Sequence, residues 1–277
     1  MIKKETYTIP GAKGRNMLMD LTFNDANPKA PLVIFAHGFK GFKDWGTHNM
    51  VANYFATHGF RYLKFNFSHN GTTPDQPVDF VDLIAFGDNT FSIELDDLKA
   101  VIDFACNGTA IPAANEVFLI GHSMGGGISI IKAAEDGRIA RLVTFASISV
   151  FYNLWAKNAE AQWKLQGVMY VNNARTNQQM PLHVGILNDL EQHPGRLDII
   201  KQAAKVTQPW LIFHGDKDTS VPLKHAQDLH TAQPNAKLII MKGGDHVFGA
   251  SHPYTEDTLP KPLLEFCEMS VAFFSEP

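Results

Sequence analysis

The chain has 277 residues, 45% of them hydrophobic, and a formal charge of −4 at pH 7. That length suits one α/β domain carrying an insertion, and the absence of a basic footprint argues against nucleic acid as a partner. No stretch reaches membrane-span length, Met1-Ile2-Lys3-Lys4-Glu5 opens no secretory-type apolar run, and Cys106 and Cys267 are too few for a disulfide framework; a cytoplasmic chain with reduced thiols is expected.

Glu5–Ile9 and Met17–Phe23 read as two strands around the Pro10-Gly11-Ala12-Lys13-Gly14 turn, with Met17, Met19 and Leu21 in alternating phase, as in a hairpin at a sheet edge. Pro31–Ala36 is a continuous apolar run, the mark of a strand covered on both faces, and it ends in His37-Gly38-Phe39. Met50, Val51, Tyr54 and Phe55 form the stripe of a helix spanning Asp44–His58 and closed by Gly59. Arg61–Phe67 is the next strand. The long loop that follows, from Ser68 to about Asn89, carries Phe80, Val81, Leu83, Ile84 and Phe86 and is too apolar for a disordered tether.

Leu95, Leu98 and Ile102 mark a helix ending near Asn107-Gly108. Val117–Ile120 is a buried strand, and Met124–Glu135 a helix with Gly137 as its expected C-cap. Arg141–Ser147 is a further strand. Phe151 to about Thr207 breaks the regularity: it has four aromatics up to Trp163, many amides and no clear strand, then a helix-like Leu197–Lys201. It reads as a lid inserted over the carboxyl edge of the sheet, leaving residues 1–150 and 208–277 as the core. Pro209–His214 resumes the core, Leu223–Thr231 is helical, Lys237–Met241 is the last strand and Leu263–Phe274 the closing helix. Alternation of strands and helices implies right-handed crossovers and a mostly parallel sheet of about eight strands with helices on both faces.

The chemistry concentrates at Gly121-His122-Ser123-Met124-Gly125. A serine on a sharp strand-to-helix turn, flanked two residues away by glycines, has its hydroxyl lifted clear of the sheet at the positive end of a helix. Gly121 and Gly125 are needed because side chains there would collide. Serine is a weak nucleophile and needs a base, which needs an orienting acid. His246 follows the last strand; Asp216 and Asp218 both follow the preceding one, and Asp245 adjoins the histidine, its side chain tending to point away from the ring. Asp216 fits a turn role, accepting backbone N–H groups two residues on. His122 reads as a packing residue, and His225 and His230 sit on an exposed-looking helix without a third ligand, so neither a metal nor a cofactor is expected. The N–H groups of Met124 and Phe39 are the expected donors to a developing oxyanion.

From the His37-Gly38-Phe39 turn to the closing helix the sequence resembles the α/β-hydrolases. It is most similar to the dienelactone-hydrolase-like and serine-aminopeptidase-like members, which include cinnamoyl (feruloyl) esterases. His-Gly-Phe followed by Lys43-Asp44, and the H-G-x-x-D-x-x-V-P run from His214 to Pro222, carry that resemblance. The family's G-H-G-x-S after the fourth strand is Ser68-His69-Asn70-Gly71-Thr72 here. The resemblance places the acid at Asp218 and implies a serine hydrolase that cleaves a small-molecule ester through an acyl-enzyme. Its acyl group would be small or medium-sized, aromatic ones included, with Phe80, Trp155, Trp163 and Tyr170 expected to line the substrate space. Amide or thioester cleavage on the same residues, and a binding module without turnover, are the alternatives. Oligomeric state is not legible.

Overall fold

The computed structural model describes residues 1–276. Its strands are β1 (Ile2–Pro10), β2 (Asn16–Asn24), β3 (Leu32–Ala36), β4 (Arg61–Phe65), β5 (Val117–His122), β6 (Ile139–Phe145), β7 (Val168–Asn173), β8 (Gln178–His183), β9 (Trp210–Gly215) and β10 (Lys237–Met241). The helices are α1 (His48–Thr57), α2 (Leu83–Gly87), α3 (Phe91–Asn107), α4 (Met124–Glu135), α5 (Glu160–Gln166), α6 (Gly185–Gln192), α7 (Ile199–Ala203), α8 (Lys224–Ala232) and α9 (Lys261–Phe274).

Eight strands form one sheet in the order β1-β2-β4-β3-β5-β6-β9-β10. β1 pairs antiparallel with β2, β2 antiparallel with β4, and every other neighbour is parallel. The continuous apolar runs follow directly from this. In β5, Val117 and Leu119 enter the layer beneath α3 and α4, while Phe118 and Ile120 enter the layer beneath α1 and α9. A strand covered on both faces cannot spare alternate positions for polar side chains, and each such burial contributes about 1.5–3 kcal/mol.

Three departures from the sequence expectation have a local physical cause. α1 begins at His48 because Asp44 is drawn to Lys64 (2.5 Å) and Gly46 turns the chain at φ +51°. α4 ends at an extended Asp136, and Gly137 is not left-handed, so no glycine cap forms. The segment between β6 and β9, expected to hold no strand, contains the β7–β8 hairpin, turning at a left-handed Asn177. Its amide-rich strands bury Met180 and Leu182 and leave the other face polar, so no long apolar run announces them. α7 packs on α4, with Ile199 and Ala203 fully covered, and serves as the crossover into β9.

One polar group in the core sets a pH response. Glu94, at the start of α3, is 1% exposed; Asn89 Nδ2 donates to its Oε1 at 2.8 Å while Oε2 has no partner. Burial pushes its carboxyl from 4.5 up to about 8, against the Asn89 hydrogen bond. The native chain therefore keeps a proton that the unfolded chain has released. Stability from this group is complete below about pH 4.5 and is lost as pH rises toward about 8, at about 1.4 kcal/mol per pH unit. Glu94→Gln, neutral throughout, should flatten the decline in melting temperature between about pH 5 and about pH 8. Equal declines in the two proteins would contradict this account.

Candidate active site

The β5–α4 turn holds Ser123 at φ +54°, ψ −120°, a backbone region that costs a non-glycine residue about 1–3 kcal/mol. The surroundings enforce it. Ser123 N donates to Phe145 O on β6 at 3.1 Å, and its carbonyl accepts the N–H groups of Gly126 and Gly127. A Cβ at Gly121 would lie 2.5 Å from Ser129 Oγ and 2.6 Å from Gly125 O; one at Gly125 would lie 2.3 Å from His37 O. Both glycines are thus required by close approach.

His246 stands in the turn after β10. Ser123 Oγ donates toward its Nε2 at 3.1 Å, and its Nδ1 donates to Asp218 Oδ2 at 2.8 Å. Asp218 follows β9; its Oδ1 accepts the N–H groups of Ser220 and Val221, each at 2.8 Å. Burial works to raise the Asp218 carboxyl, but the hydrogen bonds from His246 and Val221 outweigh it and hold the group below the ordinary carboxylate range. The other two aspartates are engaged elsewhere. Asp216 accepts Gly243 N at 2.7 Å, across to the turn after β10, and not an N–H two residues ahead as its turn position predicts; that local bond belongs to Asp218. Asp245 accepts Val247 N and Gly249 N and turns from the ring.

Phe39 lines the cleft beside Ser123, and Met124 follows the serine at the start of α4. Among the described residues neither backbone N–H donates to another group. Met124 opens α4, where N–H groups carry partial positive charge. A Cβ at Gly38 would sit 3.0 Å from Ser123 Cβ, so the loop after β3 lies directly on the serine. Behind that loop, Lys43 Nζ and Lys64 Nζ both donate to Asp20 (2.7 and 3.0 Å) and both to Asp44 (2.5 Å each). These four charges are largely buried and mutually compensated, and they pin the loop to β2 and β4.

Two histidines support the turn in ways the sequence did not reveal. His122 Nε2 donates to His246 O at 3.0 Å, and burial together with the charge of His246 pushes its pKa well below the ordinary value. It is a neutral strut under the loop carrying His246, more than packing alone. His214, fully buried on β9, donates from Nε2 to Val221 O at 2.8 Å and lies 3.5 Å from Asp218 Oδ2. His225, expected on an exposed face, is half-buried and accepts from Ser149 N at 3.1 Å.

A cleft of about 170 Å³ opens beside Ser123, lined by Gly38, Phe39, Lys40, Trp45, His48 and His246 among others. The four side chains expected to face substrate lie elsewhere. Trp155 and Trp163 are buried edge-to-face on each other (5.3 Å between centroids), with Phe91 against Trp155. Phe80 is covered by Phe42 and Phe86, and Tyr170 is exposed on β7. Aromatics in an insertion can be satisfied by packing on one another, as Trp155 and Trp163 are here.

The alpha/beta hydrolase family profile matches residues 33–256. The chain belongs to the alpha/beta hydrolase family. An abhydrolase domain-containing protein of Dictyostelium discoideum is 28% identical over 178 residues, 61% of this chain; the chain spans only 38% of that relative. The monoacylglycerol lipase of Mycolicibacterium smegmatis is 23% identical over 241 residues, 79% of this chain and 81% of the lipase. Among solved structures, Est1E from Butyrivibrio proteoclasticus with bound ferulic acid superposes with a TM-score of 0.70 at 19% identity, covering 97% of each chain.

Proposed function

We propose that this chain hydrolyses carboxylic esters through an acyl-enzyme on Ser123. The observation that carries the proposal is the continuous relay from Ser123 Oγ to His246 Nε2 (3.1 Å) and from His246 Nδ1 to Asp218 (2.8 Å). In the first step His246 takes the serine proton as Oγ adds to the ester carbonyl. The N–H groups of Phe39 and Met124 receive the oxyanion, each donor of this type contributing about 3 kcal/mol. The imidazolium, held by Asp218, then protonates the departing alcohol, and a water deprotonated by the same ring releases the acid. The lipase named above acts on acylglycerols by its name, and Est1E binds a hydroxycinnamic acid; both kinds of ligand agree with an ester substrate of small to medium acyl group, aromatic ones included.

A panel of 4-nitrophenyl esters running from acetyl to octanoyl, with a cinnamoyl member, tests the class. A fluorophosphonate should attach to the folded protein at the Ser123 peptide. Absence of both turnover and adduct would leave a fold without this activity.

The segment 151–207 belongs to the proposal as a lid, with α7 as its return into the core. Lys40 Nζ donates to Asn172 O on β7 at 3.1 Å, so the hairpin reaches the cleft's rim. Val184 N already donates to Gly167 O at 2.8 Å, closing the hairpin's base. Joining Gly167 directly to Val184 should therefore delete 168–183 at a cost in melting temperature from the lost burial of Met180 and Leu182. The ranking of esters in the panel should change. An unaltered ranking in the folded deletion variant would refute the lid role.

A further inference from the structure

The lining of the cleft contains an unbalanced charge. Lys40 is the one lysine, arginine or carboxylate side chain among the described residues that line it. Its half-buried ammonium has a single hydrogen bond, to the Asn172 carbonyl at 3.1 Å, and stands 5.7 Å from the centroid of Phe39. Two of its three donors are uncommitted. Burial lowers its pKa, with no carboxylate opposing the shift. The contrast with its neighbours is sharp: Lys43 and Lys64 each meet two aspartates. Asp218, the acid of the relay, is taken by His246. Arg175, from the turn of the β7–β8 hairpin, lies outside this lining, over the rings of Phe42 (5.3 Å) and Phe80 (5.7 Å) and hydrogen-bonded to the Val78 carbonyl. In a net negative chain the charged side chain of this cleft lining is thus a cation, Lys40. The backbone of Lys40 is itself left-handed (φ +55°), so the side chain is held at this place against local preference.

A half-desolvated ammonium without a counter-charge is costly until something supplies one. We infer that Lys40 selects esters that carry a carboxylate on the acyl side, the anion docking on its free donors. This rests on the ester-hydrolase reading. Lys40, Phe39 and Ser123 line one cleft, so an ester whose acyl part ends in a carboxylate, such as a half-ester of a short dicarboxylic acid, can present its carbonyl to the serine and its anion to the ammonium.

The test compares 4-nitrophenyl hemiglutarate with its neutral methyl-capped counterpart. Wild type should favour the anionic ester by about tenfold in kcat/KM, mostly through KM, and the ratio should shrink as salt rises. Lys40→Arg should keep most of the preference. Lys40→Gln, which retains an N–H for Asn172, should bring the ratio close to unity. Calorimetric binding of the same two compounds to Ser123→Ala, with and without Lys40→Gln, reads the selectivity without turnover. If wild type cleaves neither ester, the hydrolase reading fails while the binding pair still decides the role of Lys40. Equal handling of the two compounds by cleavage and by binding, or a preference that survives in Lys40→Gln, would overturn the inference.

Discussion

Ser123→Ala is expected to abolish ester turnover and fluorophosphonate labelling, with a loss on the order of 10⁶ in kcat. Ser123 is 7% exposed, and the one side-chain partner of its hydroxyl is His246, at 3.1 Å. Removing it deletes the atom to be acylated and leaves the rest of the relay assembled. Alanine meets the same left-handed backbone that serine does, so the melting transition should hardly move. Burst kinetics retained in this variant would mean that another side chain is acylated and that the assignment is wrong.

The second large effect is expected at Asp218. In Asp218→Asn, the N–H groups of Ser220 and Val221 hold the amide oxygen where Oδ1 now sits, both at 2.8 Å. The amide NH₂ is then turned toward His246 Nδ1. A donor facing Nδ1 forces the ring proton onto Nε2, where it blocks acceptance of the serine proton. The imidazolium also loses its counter-charge. A change of this kind costs about 10⁴ in kcat in the serine proteases, and a comparable loss with the fold intact is expected here. Asp216→Asn is the control: its single bond is to Gly243 N, which an amide oxygen can still accept, so a stability change below about 1 kcal/mol and near-normal activity should follow. The reverse pattern, with Asp216→Asn inactive and Asp218→Asn active, would move the acid to the other aspartate.

Much of this was legible before any coordinates, and for definite reasons. β3, β5, β6 and β9 are buried on both faces, which compels apolar runs, and the elbow compels glycines at 121 and 125; such constraints write themselves into sequence. Ser123 stands out in the sequence because it directly follows the apolar run of β5, and His246 because it lies in the turn after the last strand, β10; the structure brings them to 3.1 Å. The segment between β6 and β9 was harder. Its hairpin strands are rich in Asn and Gln, and its turn sits at Thr176-Asn177, so neither apolar alternation nor a glycine marks it. Trp155 and Trp163 were placed wrongly because an aromatic reads alike whether it meets a ligand or another ring. Lys40 gave no signal at all. Its distinction lies in the acids that are missing around it, and those are absent in space rather than along the chain.

The left-handed backbone at Ser123 has a consequence for how such a chain fares under selection. Glycine at 123 would adopt φ +54° without strain, recovering about 1–2 kcal/mol. Libraries screened only for survival on heating should therefore enrich Ser123→Gly, trading the reaction for robustness.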